Sequence, residues 1–255
     1  LSFFSFSCPF RASLPPAPLL GFLSVTLVSH THRFIFFKTK KTASTSVEMY
    51  FEPFCLPPGM APGPEYRDAY EGATGIVGSR RGEARRKEAR WRQHHRAASV
   101  LRLAGPWTFF RYFKFTTIRD PFTRTLSAFR YSLRQRQDPV EHTDFEAERA
   151  AFNTWLEKHY VWIQDRRMYL IAGIPVANFF IRYEHLHADV ERVCTRLNLP
   201  FERDRLPHKK KMPAPTREPR AYYTPENARR LARTHAWEMR RFGYGAAPGA
   251  TLPAS

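Results

Sequence analysis

The sequence predicts a three-layer α/β/α fold built on a central, mainly parallel sheet, and three observations carry that expectation. Phe34 to Phe37 is a short, wholly apolar run behind the polar His30-Thr31-His32-Arg33, as expected of a strand buried on both faces. Strand-like runs recur at Tyr112 to Ile118 and at Ala177 to Tyr183. Segments with helical spacing separate them, and alternating strands and helices are the pattern of a parallel sheet covered on both sides.

The elements follow in chain order. Residues 1–30 read as a leader, either disordered or a truncated signal or anchor. Its longest apolar stretch, Leu19 to Val28, is too short to span a bilayer as a helix, and Arg11 gives only a weak signal-peptide flavour. The domain is read as residues 31–245, with a flexible tail over 246–255. After the first strand comes a polar loop, Lys38 to Ser44, and a helical pattern from Thr45 to Tyr50 that stops near Pro53. Residues 53–90 are rich in proline and glycine and read as a loop-rich insertion, with one helix starting near Glu83. Asp120 is placed to cap a helix whose first turn holds Pro121, running to about Arg136. Phe145 to Tyr160, Gln164 to Ala172 and His187 to Leu197 are expected as helices. Thr224-Pro225-Glu226 opens a last one, ending before Gly243.

Lysine and arginine outnumber acidic residues 41 to 23, a formal net charge of +18 on 255 residues. A surplus of that size implies an anionic partner: nucleic acid, a membrane surface, or a sulfated or phosphorylated ligand. Cys8, Cys55 and Cys194 are far apart and form no C-x-x-C pair, which argues against a metal cluster.

Two segments carry chemistry. Lys41-Thr42-Ala43-Ser44-Thr45-Ser46 lies between a buried strand and a helix. Ligands of open α/β sheets bind beyond the carboxyl ends of the strands, and a helix N-terminus there offers N–H groups and a positive dipole end. Small residues let a phosphate approach the backbone, Lys41 adds a full charge, and Thr45 and Ser46 add hydroxyls. A serine- and threonine-rich helix cap with a solvated lysine is the plain reading of the same residues. The segment is not a Walker A loop, since no glycine lies between Phe34 and Pro58. The second segment is Ile118-Arg119-Asp120-Pro121-Phe122-Thr123-Arg124-Thr125-Leu126-Ser127. Arg119 leaves a strand end, while Thr123 and Ser127 share a helix face. An arginine fork beside a hydroxyl suits a second phosphate, and an ordinary solvated surface helix is the alternative.

Together the two segments resemble the phosphate-binding signatures of sulfotransferases that use 3′-phosphoadenosine 5′-phosphosulfate (PAPS). The first resembles the family's K-T-x-x-T-S loop for the 5′-phosphosulfate, and the second its R-D-P-x-x-R-x-x-S motif for the 3′-phosphate. Phe180-Ile181-Arg182-Tyr183-Glu184-His185-Leu186 is similar to the family's I-R-Y-E-x-L strand end, and Leu206-Pro207-His208-Lys209 to a late loop. The resemblance covers roughly residues 33–245 and is closest to carbohydrate sulfotransferases of the Golgi type and their bacterial relatives. It implies the P-loop nucleotide-hydrolase-like fold, PAPS as sulfuryl donor, no metal, and a carbohydrate or other hydroxyl acceptor, an acidic glycan included. It implies that Lys41, Thr42, Ala43, Ser44, Thr45 and Ser46 hold the 5′-phosphosulfate, that Arg119 and Ser127 hold the 3′-phosphate, and that one of Lys209, Lys210 and Lys211, with Lys209 first, lies on the loop closing over the nucleotide. The family often has glycine where this chain has Ala43 or Ser44. Lys41 is the expected catalytic lysine. A histidine between the motifs is the expected base, with His95 preferred over His94, and Glu48 or Glu71 as further choices. Membrane contact is expected only through an N-terminal anchor, and no nucleic-acid partner is expected. A Golgi lumen fits a eukaryotic source with a clipped anchor, and cytoplasm fits a bacterial one. The competing reading is a catalytically silent basic protein that binds polyanions or nucleic acid, though no helix-turn-helix, zinc-finger or RNA-binding pattern appears.

Overall fold

The computed structural model describes residues 27–63, 68–79, 96–136, 144–160, 164–207 and 215–245. Its centre is a six-stranded sheet of β1 (Leu27–Ser29), β2 (Phe34–Phe37), β3 (Tyr70–Gly72), β4 (Gly75–Val77), β5 (Phe113–Ile118) and β8 (Phe179–Arg182), in the order β3-β4-β1-β2-β5-β8. The three strands expected from the sequence, β2, β5 and β8, are the parallel ones. The other half, β1 with the β3–β4 hairpin, is antiparallel.

The period-2 pattern of a strand explains the layers. Phe34 and Phe36 point to one face and join a core with Val47, Phe51, Phe115, Ile181 and Val190. Ile35 and Phe37 point to the other and pack with Ala97, Val100 and Phe109. The first core is roofed by α1 (Ser44–Phe51) and α6 (Leu186–Leu197). The second is roofed by α2 (Ala97–Ala104) and α3 (Pro106–Arg111). A third core joins α4 (Pro121–Arg136), α5 (Phe145–His159) and α7 (Pro225–Thr234) through Phe129, Phe152, Trp155, Tyr223 and Leu231. Asp120 caps α4 as expected, accepting the Thr123 N–H at 2.8 Å and its hydroxyl at 3.0 Å.

Several expectations are corrected. The leader was closed at residue 30, yet Leu27, Val28 and Ser29 form a strand paired with β2 on one side and β4 on the other. Gly75 is required there, because a Cβ would stand 2.3 Å from the Val28 carbonyl oxygen. The expected helix over Gln164 to Ala172 is a single 3-10 turn, Arg166–Met168, followed by a small hairpin of β6 (Leu170–Ile171) and β7 (Ile174–Pro175). Ala172 and Gly173 both take positive φ, 49° and 81°, which is the backbone of a two-residue hairpin turn. The last helix breaks at His235 into α7 and α8 (Ala236–Phe242). Residues 80–95, with the helix expected near Glu83, and the tail over 246–255 lie outside the described residues. Among the described residues no helix is long and apolar enough to cross a membrane.

His235 is almost fully buried and stands 3.5 Å from Glu238 and 3.4 Å from the Arg124 guanidinium. Burial pushes its imidazole below the ordinary 6.5, against the pull of Glu238. As pH falls below 6.5 the unfolded chain therefore takes up a proton that the folded chain resists, and stability is lost. Burial opposes the charge on Glu238, but the His235 and Tyr169 bonds hold its carboxyl down at about 2, so its own contribution is lost only below 4.5. The melting temperature of wild type should fall on acidification from pH 6.5 towards 4.5, and that of His235→Gln should fall less over the same window. Equal slopes in a thermal-melt series would remove His235 as the cause.

Candidate active site

The site is built at the carboxyl ends of β2 and β5, neighbouring parallel strands. The chain leaving β2 passes through Lys38 to Ala43 and enters α1. Lys41 and Ala43 take left-handed backbone, with φ of 59° and 60°. That conformation costs a residue with a Cβ about 1–2 kcal/mol. Ala43 is the N-cap of α1 and has no side-chain oxygen, so no cap side chain occupies the start of the helix. The first intrahelical bonds run from the Ser46 and Val47 N–H groups to the Ala43 oxygen. The N–H groups of Ser44 and Thr45 lie ahead of these bonds, which is the arrangement of an anion cradle.

Hydroxyl bonds hold the loop in this shape. The Thr39, Thr42 and Thr117 hydroxyls lie 2.7 to 2.8 Å from one another, and Thr39 also donates to the Thr117 carbonyl at 2.6 Å. Ser44 donates to the Thr39 carbonyl at 2.5 Å. The hydroxyls of Thr42 and Ser44, two residues of the expected loop, are thus engaged inside the protein. What these two residues offer an anion is backbone.

Lys38 and Glu48 form a buried ion pair at 2.5 Å across the loop and α1. This pair gives Glu48 a structural contact beside the loop. Glu71 sits on edge strand β3, three strands from β2. Lys41 turns towards α4, where its ammonium lies 4.0 Å from the Tyr131 ring centroid. Thr123, Ser127 and Tyr131 recur every four residues, so Lys41 meets the same face of α4 that carries Ser127.

Arg119 leaves the end of β5 and donates to the Lys41 carbonyl at 3.4 Å. Its guanidinium stacks on the Tyr183 ring at 3.9 Å, and its Nε is buried with no hydrogen-bond partner. Burial pushes the guanidinium below its ordinary value, and Tyr183, Glu184 and Asp120 pull it back up. Glu184 is held in turn, accepting the Asp120 N–H and the Tyr244 hydroxyl at 3.0 Å each. The two expected motifs are therefore brought to one sheet edge.

Three participants escaped the sequence reading. Tyr131 follows Ser127 by one helical turn, a spacing that could have marked it. Arg124 lies inside the second motif but was given no role; it is buried and paired with Asp165. Asp165 stands alone in the sequence and left no signal. His94, His95 and Lys209 lie outside the described residues. Among the described residues no cluster of histidine, cysteine and acidic side chains could hold a metal ion.

A family model described as the sulfotransferase family matches residues 24–245. No curated protein and no solved structure matches the chain.

Glu48→Gln should cost about 3–5 kcal/mol of stability, because it strands the buried Lys38 charge. Urea unfolding measures this, and a fall in turnover without loss of stability would support Glu48 as a base.

Proposed function

Since the chain belongs to the PAPS-dependent sulfotransferase family, we propose that it moves the sulfuryl group to a carbohydrate hydroxyl by in-line displacement, using the two anion-binding segments described above. PAPS, when bound, supplies a sulfuryl group on its 5′-phosphate and carries a second phosphate on the ribose. The residues present suit such a donor. Arg119 presents a buried Nε with no hydrogen-bond partner among the described residues, and the α1 start presents its backbone without a capping side chain. The observation that carries the reading is the reach of Arg119 to the Lys41 carbonyl, which joins the two segments at one edge of the sheet.

In this reading the 5′-phosphosulfate lies against the backbone and side chains of residues 41–46. Arg119 and Ser127 hold the 3′-phosphate, and Lys209 closes from the late loop. Lys41 offsets charge that develops on the departing phosphate, a role in which a preorganised cation acts without reorganisation. His95 takes the proton of the acceptor hydroxyl, with His94 second. The chain supports a base from this stretch: α2 starts at Ala97 and packs against the 166–168 turn, directly after the Asp165 that holds the Lys40 N–H. A carbohydrate acceptor is supported by the likeness to carbohydrate sulfotransferases, and the basic surplus suits an acidic glycan.

Calorimetry should show 3′-phosphoadenosine 5′-phosphate (PAP) binding well ahead of ATP and AMP. Comparable binding of all three would remove the reading. Lys41→Ala should lower turnover on the order of a hundred- to a thousandfold. Arg119→Ala and Ser127→Ala should act chiefly on donor affinity. His95→Ala should lower turnover by about a hundredfold or more with PAP affinity unchanged, and full turnover in that variant would dismiss His95 as base.

A further inference from the structure

We propose that Asp165 is the positioning residue that sets the spacing between the two anion-binding segments, a role that rests on the sulfotransferase reading above. Asp165 belongs to neither motif. It is 1% exposed, and its two carboxylate oxygens are divided between the motifs. Oδ2 accepts the Lys40 N–H at 3.2 Å, inside the loop that leads to α1. Oδ1 accepts from the Arg124 guanidinium, which leaves α4 three residues before Ser127. One carboxylate therefore ties the loop to the helix.

The tie is itself anchored. The Asp165 carbonyl accepts the Met168 N–H at 2.9 Å, closing the 166–168 turn, and Arg166 donates to the Thr234 carbonyl at 3.1 Å at the end of α7. Arg124 also lies 3.4 Å from His235, at the junction of α7 and α8. The carboxylate is thus anchored to the C-terminal helices. Lys40, half-buried beside the same pair, is lowered by desolvation and raised by Asp165, so the charge of Asp165 is felt within the loop.

The consequence differs from that of an ordinary structural ion pair. A ligand with two phosphates engages both segments at once, and its gain in affinity depends on their separation matching the ligand. A ligand with one phosphate needs only one segment. Loosening the tie should therefore penalise the first kind and spare the second.

The test is calorimetry on the full chain with PAP, 5′-AMP and 3′-AMP, comparing wild type with Asp165→Asn. The variant should lose about tenfold or more in affinity for PAP while either monophosphate changes by less than about twofold. An equal loss for all three ligands, or unchanged PAP affinity, overturns the proposal. Should Asp165→Asn fail to fold, the paired variant Asp165→Asn with Arg124→Met removes both charges at similar volume and carries the same comparison. A wild-type chain with no preference for PAP over AMP overturns this inference and the sulfotransferase reading together. A preference present in wild type and lost uniformly in the variant overturns this inference alone.

Discussion

The hydroxyl knot of Thr39, Thr42 and Thr117 is the constraint on which the site depends. All three residues are almost completely buried, so a hydroxyl deprived of its partners would have no water to turn to. The knot fastens the strand-to-helix loop to β5, and so allows Lys41 and Ala43 to stay in left-handed backbone that neither residue prefers. Each further feature of the site uses that loop shape: the uncapped start of α1, the Lys41 carbonyl that meets Arg119, and the Lys40 N–H that meets Asp165.

The parts of the fold legible in the sequence are those where local pattern and burial agree. Phe34 to Phe37 is apolar at every position because both sheet faces are covered, and its alternate residues divide between two cores. Asp120 and Thr224 cap helices because a short oxygen-bearing side chain before a proline can do little else better. The antiparallel half was hidden because its strands have three residues each and get their identity from partners far along the chain. The 164–172 segment was misread for a related reason. Its apolar content matches a buried helix turn, and the Ala172-Gly173 turn became decisive only through the pairing of Leu170 with Pro175.

The site was legible in residue type more than in side-chain use. Lys41, Arg119 and Ser127 stand out by their placement at strand ends and on one helix face; Arg119 meets the Lys41 carbonyl, and Lys41 meets the α4 face that carries Ser127. Thr42 and Ser44 stand in the first motif, but the internal use of their hydroxyls was not legible, since a hydroxyl can serve a ligand or its own loop and sequence does not separate the two. Asp165 was invisible because its importance comes from bridging residues 40 and 124, a relation set by tertiary geometry alone.

The position of β1 carries a practical consequence. Leu27, Val28 and Ser29 run down the middle of the sheet, and their side chains are almost inaccessible to solvent. Trimming the gene to begin after residue 30, as the apolar leader invites, would excise an interior ribbon and leave two raw margins facing each other across the gap. The β3–β4 hairpin would be detached, and β2, which feeds the loop into α1, would become a sticky border open to self-association. Any shortened version meant for crystallisation should therefore retain the chain from before Leu27.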